Sequence, residues 1–187
     1  IKIGVTKENK VTVYQPAEAA AIDNYLHTSL NISPTGNELQ VGRQGSNKVR
    51  IVMIWDLSDI PDDATITAAS MILTEHTDQV TSTQTFRTYR ITQVNTIEDC
   101  DWDDYNASGD AWSTAGGDYS TAITSTTTTD GGDLTVNDAG FISLVQDAVD
   151  DRSGSLKIIM VSQEDLDGET SGTQRMKYNS ANDSTTA

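Results

Sequence analysis

A single cysteine, Cys100, stands in this chain of 187 residues, so no disulfide can close within it. A lone free thiol also argues mildly against an oxidising compartment. Twelve lysines and arginines face 28 aspartates and glutamates, a formal charge of −16, and no basic run breaks the excess. Phosphate backbones would be repelled, which excludes nucleic-acid binding, and an anionic membrane surface is disfavoured for the same reason. No apolar run approaches 18 residues, so no transmembrane helix is expected. The only histidines are His27 and His76, and H-E-x-x-H, G-x-S-x-G and C-x-x-C are all missing. Cys100 lies between Asp99 and Asp101, whose carboxylates disfavour the thiolate a nucleophile needs. Together these absences argue against an enzyme.

What the chain does contain is alternation. Val49, Ile51, Met53, Trp55 and Leu57 fall on one face of a strand. The other face carries Arg50, Val52, Ile54 and Asp56, half apolar, as in a central strand covered on both sides. Pro61 and the Asp/Ser cluster from Ser58 to Asp63 form a corner. A second run, Thr65 to Thr74, alternates again, and the two runs are expected to form the nucleus of one sheet. Shorter strands are expected at 11–15, 23–26, 39–43, 85–94, 156–161 and 174–178. Residues 120–129 are Thr-dense and read equally as a polar strand or a mobile segment. Phe141, Leu144, Val145, Ala148 and Val149 recur at helical spacing, which predicts one short helix over about 138–150, capped by Asn137 or Asp138. Short strands with Gly, Pro and Asp turns predict an all-β antiparallel sandwich of one domain. Residues 1–10 are expected as an N-terminal tail or donor strand before it.

The stretch Asp56–Thr74, D-L-S-D-I-P-D-D-A-T-I-T-A-A-S-M-I-L-T, resembles a recurring segment of the DNRLRE-type domain. That family overlaps the alginate-binding type of carbohydrate-binding module and the disaggregatase-related repeats. Asp23–Leu26, Leu39–Arg43, the helical segment and A-W-S-T-A-G-G-D-Y at Ala111–Tyr119 resemble further family pieces in the same order. The likeness runs from about Val11 to the C-terminus. It implies a jelly-roll arrangement and a carbohydrate-binding role. Members close with a further strand that is expected to be missing here. Either that strand has been cut off, or Ile1, Ile3 and Val5 fill its place, in the same chain or in a neighbour, the last of which would make the protein a subunit of a homo-oligomer or polymer.

Two sets of candidate ligands sit in the loop before Tyr119. Trp102, Tyr105, Trp112 and Tyr119 could stack on sugar C–H faces, with Asp and Asn accepting from hydroxyls, or could instead pin the loop to the sandwich. Asp101, Asp103, Asp104 and Asp118 offer oxygen ligands for calcium, as does the Asp165–Glu169 turn, or form a solvated acidic loop. Acidic polysaccharides would need calcium or local cations to approach a chain of this charge, whereas neutral glycans face no such barrier. A start at Ile1 suggests a processed or cut chain, a removed signal peptide being one source. Sequons stand at Asn31, Asn106 and Asn182. The reading is a non-catalytic structural subunit of an extracellular, cell-surface or virion assembly, packing with copies of itself. The alternative is a module recognising a surface or matrix polysaccharide. Calcium is the one cofactor anticipated, and membrane insertion is not.

Overall fold

The computed structural model describes residues 2–7, 10–14, 23–29, 36–78, 80, 82–93, 100–106, 109–169 and 173–180. Twelve strands and two helices are found among them. The strands are β1 (Lys2–Lys7), β2 (Lys10–Tyr14), β3 (Asp23–His27), β4 (Glu38–Gln44), β5 (Asn47–Asp56), β6 (Ala68–Leu73), β7 (Glu75–Asp78), β8 (Gln84–Ile91), β9 (Tyr119–Thr129), β10 (Leu134–Val136), β11 (Ser155–Ser162) and β12 (Thr173–Asn179). They build an all-β sandwich. Its four-stranded sheet has the order β10-β6-β1-β2. Its larger sheet has the order β7-β12-β4-β5-β11-β8-β9, with β3 also paired to β5. The pairs between named strands are antiparallel.

Strand β5 is central, as its two-sided pattern requires. Val49, Ile51, Met53 and Trp55 enter the inner core between the sheets, while Val52 enters a second cluster on the outer face of the larger sheet. Its neighbour β11 divides in the same way: Leu156, Ile158 and Met160 point in, Ile159 and Val161 out. The expectation that the two runs flanking Pro61 pair as one sheet is corrected. Strand β5 pairs with β3, β4 and β11, whereas β6 pairs with β1 and β10. The Leu57–Thr67 corner carries the chain from one sheet to the other, and Gln146 of the helix secures it by accepting from Ile66 N at 2.7 Å and donating to the Ala64 carbonyl at 2.9 Å. Eleven residues with a proline are too long a link for a tight hairpin.

Helix α1 (Ala139–Asp151) buries Phe141, Leu144, Val145, Ala148 and Val149, and Asp138 caps it by accepting from Phe141 N. It packs its apolar face into the inner core against β6, β9 and β11. A second helix, the single turn α2 (Gln163–Leu166), was not anticipated; Ser162 caps it. The Thr-dense stretch resolves as the edge strand β9, held to α1 through Asp138, which accepts from Ser125 Oγ at 2.6 Å and Thr126 N at 2.9 Å.

Of the assembly residues, Ile3 is fully buried and Val5 lies in β1, which is hydrogen-bonded to β6 on one side and β2 on the other within its own chain. Ile1, the sequons at Asn31 and Asn182, and the segment beyond Ser180 lie outside the described residues. No helix among the described residues is long and apolar enough to cross a membrane.

Candidate functional site: a polar groove on the outer face of the larger sheet

Apolar side chains on both faces of β5, β8 and β11 leave the outer face needing cover. The loop between β8 and β9 supplies it. Cys100 and Trp112 are buried there with Leu26, Val52, Tyr89, Ile91, Ile159 and Val161. Trp112 is 5% exposed, its indole N–H donates to the Asp101 carbonyl at 3.0 Å, and the Tyr105 ring tilts against it at 5.7 Å. Of the two roles open to Trp112, this burial favours pinning the loop over presenting a face to a sugar. Trp112 anchors the loop, and Tyr105 goes with it.

Two aspartates organise the loop's turns. Asp101 Oδ1 accepts from the N–H groups of Asp103 and Asp104, each at 2.8 Å. Asp118 accepts from Ser113 N (2.7 Å), Thr114 N (2.8 Å) and Gln93 Nε2 (3.2 Å). Burial pushes the Asp118 carboxyl up, but these donors together outweigh it and hold the group below the usual aspartate value. Both carboxylates therefore serve the local backbone, which is the general use of Asp in turns. Asp103 is exposed and Asp104 half-buried. Among the described residues no three His, Cys, Asp or Glu side chains gather to hold a metal ion.

Gly116 and Gly117 let the loop press on the sheet. Both have positive φ, 88° and 108°. A Cβ at Gly116 would stand 2.7 Å from two Trp102 ring carbons and 2.8 Å from Arg50 Nη1, and one at Gly117 would stand 2.8 Å from Ile159 Cδ1. Here the chain needs both glycine's conformational freedom and its lack of a side chain.

Beneath Gly116 lies Arg50, on the outer face of β5 and 7% exposed. Its Nε donates to Asp165 Oδ2 at 2.7 Å and its Nη1 to the Gly116 carbonyl at 2.7 Å. The guanidinium carbon lies 4.9 Å from the Trp102 ring centre and 5.9 Å from that of Tyr119, distances at which a cation is attracted to a ring face. Lys48 Nζ stands 2.6 Å from the second oxygen of Asp165, whose side chain is wholly buried. Burial raises the Asp165 carboxyl, but Arg50, with Lys48 beside it, more than reverses this and holds it below the usual value. Asp165, the first acid of the turn offered as a second calcium candidate, is the counter-ion of two strand cations.

Between this cluster and the loop opens a groove of about 450 Å³. Arg50, Gln93, Ser113, Thr114, Asp118 and Tyr119 line it. Of the four expected aromatics, only Tyr119 forms its wall, stacked on Tyr89 with centroids 4.8 Å apart and planes 17° from parallel, while Trp102 supports Arg50 from behind. Arg50, Gln93, Ser113 and Thr114 were not singled out in the sequence. The available signal was Arg50 itself, a charge on a strand face otherwise destined for burial, which requires a buried partner.

No protein-family model matches the chain, and no curated protein matches it.

Proposed function

We propose that this protein is a non-catalytic carbohydrate-binding module that takes a neutral polysaccharide segment in the groove beside Tyr119. The observation that carries the reading is a 450 Å³ groove in which one aromatic wall stands among short polar side chains. An aromatic face suits the C–H surface of a pyranose ring, and the surrounding hydroxyls, amide and guanidinium suit its hydroxyl groups. Tyr119 is already fixed by its stack on Tyr89, so little side-chain freedom is lost on binding. A glycosidase would need two opposed carboxylates, whereas the groove offers Asp118 alone, with both oxygens accepting hydrogen bonds. The charge of −16 favours neutral glycans over polyanions. An extracellular or cell-surface location suits such a role.

A glycan array read by direct binding tests this. Wild type should retain a subset of neutral glycans, and Tyr119→Ala should lower affinity at least about tenfold, the worth of one stacked ring. Wild-type protein that binds no neutral glycan would sink the reading.

A second reading, a structural subunit packing with copies of itself, draws support from β2, which among the described residues pairs only with β1 and leaves an edge of the smaller sheet free. The expected donor strand β1 is already paired on both sides. Sedimentation across a hundredfold concentration range tests this reading. A constant monomer would remove it.

A further inference from the structure

Arg50 reaches the groove with its donors unequally used. Nε and Nη1 are bonded to Asp165 and Gly116, the guanidinium carbon lies 4.9 Å from the Trp102 ring centre and 5.9 Å from that of Tyr119, and among the described residues Nη2 makes no hydrogen bond. Asp165 comes from a distant part of the chain, on the one-turn helix α2, and contributes nothing to the groove's lining. An arginine's planar fork points where its bonded nitrogens oblige it to point, since its flexible stem imposes no direction of its own. The guanidinium plane in turn seats Trp102, whose carbonyl accepts from Gly116 N and so fixes the loop that forms the groove's wall.

We propose that Asp165 is a positioning residue for the groove: by holding Arg50 Nε it presents Nη2 to the ligand and the guanidinium face to Trp102. The proposal rests on the carbohydrate reading for the identity of the ligand alone. Lys48 belongs to the same device. With Asp165 removed, two cations on neighbouring outward positions of β5 lose their shared counter-ion, so Arg50 turns away from the strand.

The test uses Asp165→Asn and Arg50→Lys, singly and together, on the full chain, with two readouts. The first, which needs no glycan, is the Arg50 Nε–H resonance, which the ring currents of Trp102 and Tyr119 should displace in wild type. In Asp165→Asn it should move toward the value of a free arginine while the amides of β5 and β11 stay in place. The second is affinity for a glycan that wild type selects. Each single variant should lose about tenfold and the double variant no more than either, because the two residues act as a unit. An unmoved Arg50 resonance in Asp165→Asn, or additive losses, would overturn the proposal. Should Asp165→Asn fail to fold, Asp165→Glu keeps the charge but displaces it by a methylene and must shift the same resonance. A wild type that binds no glycan would end the carbohydrate reading, while the resonance would still decide what orients Arg50.

Discussion

The two faces of the larger sheet are buried by different means. On the inner face, aliphatic and aromatic side chains of both sheets and α1 interlock into one large cluster, and few directional bonds are needed. On the outer face, an irregular loop lies over a smaller cluster, held by turn-forming aspartates, an indole N–H, two positive-φ glycines and a buried charge pair. Non-directional burial tolerates any side chain of suitable volume, so it suits a scaffold. Directional contacts place particular atoms, so they suit a site, and they also make the outer layer the more easily opened of the two.

The sharpest way to break this contrast is to damage the inner side first. Phe141→Ala removes a fully buried ring from α1 and should cost about 3–5 kcal/mol, lowering the urea midpoint as a single transition seen equally by β-sheet circular dichroism and by tryptophan fluorescence. Separate transitions would show the two layers to be independent.

Gly116→Ala tests the outer side. A methyl group meeting Trp102 and Arg50, on backbone at φ 88°, should cost about 1–3 kcal/mol. Glycan affinity should fall steeply, and hydrogen exchange should rise in residues 100–118 while β5 and β11 stay protected. Equal loss of protection on both faces would contradict the contrast.

Acid sharpens it further. The folded-state carboxyls of Asp118 and Asp165 are depressed, so their stabilisation is fully present above the unfolded aspartate value, about pH 4, and is lost as pH falls through the lower folded value. The outer loop should therefore loosen below about pH 4 before the aliphatic inner core does. In Asp118→Asn, which costs about 1 kcal/mol, the Asp118 share of that acid response should vanish. Exchange measured between pH 5 and pH 2.5 reads both.

Much of the sandwich was legible because burial leaves a period behind. The two-sided pattern of residues 49–57 announced a strand covered on both faces, and the helical spacing from Phe141 to Val149 named all five residues that α1 buries. The partnering of strands was less legible, since alternation tells which face is apolar and not which strand lies alongside. That is why β5 and β6 were expected to pair. The groove was legible only in part. The aromatic loop was found, but ring composition does not tell an anchor from a wall, so Trp112 and Tyr119 looked alike.

Local order and hydrophobic period were thus decided by the residues alone: which segments extend, where the one long helix runs, which faces seek cover. The three-dimensional fold alone decided that Asp165 meets Arg50 across 115 positions, and that Asp118 closes a turn by accepting from Ser113 N and Thr114 N. A period is a property of neighbours along the chain. A charge pair or a groove depends on which distant backbones are brought together, and no local pattern records that.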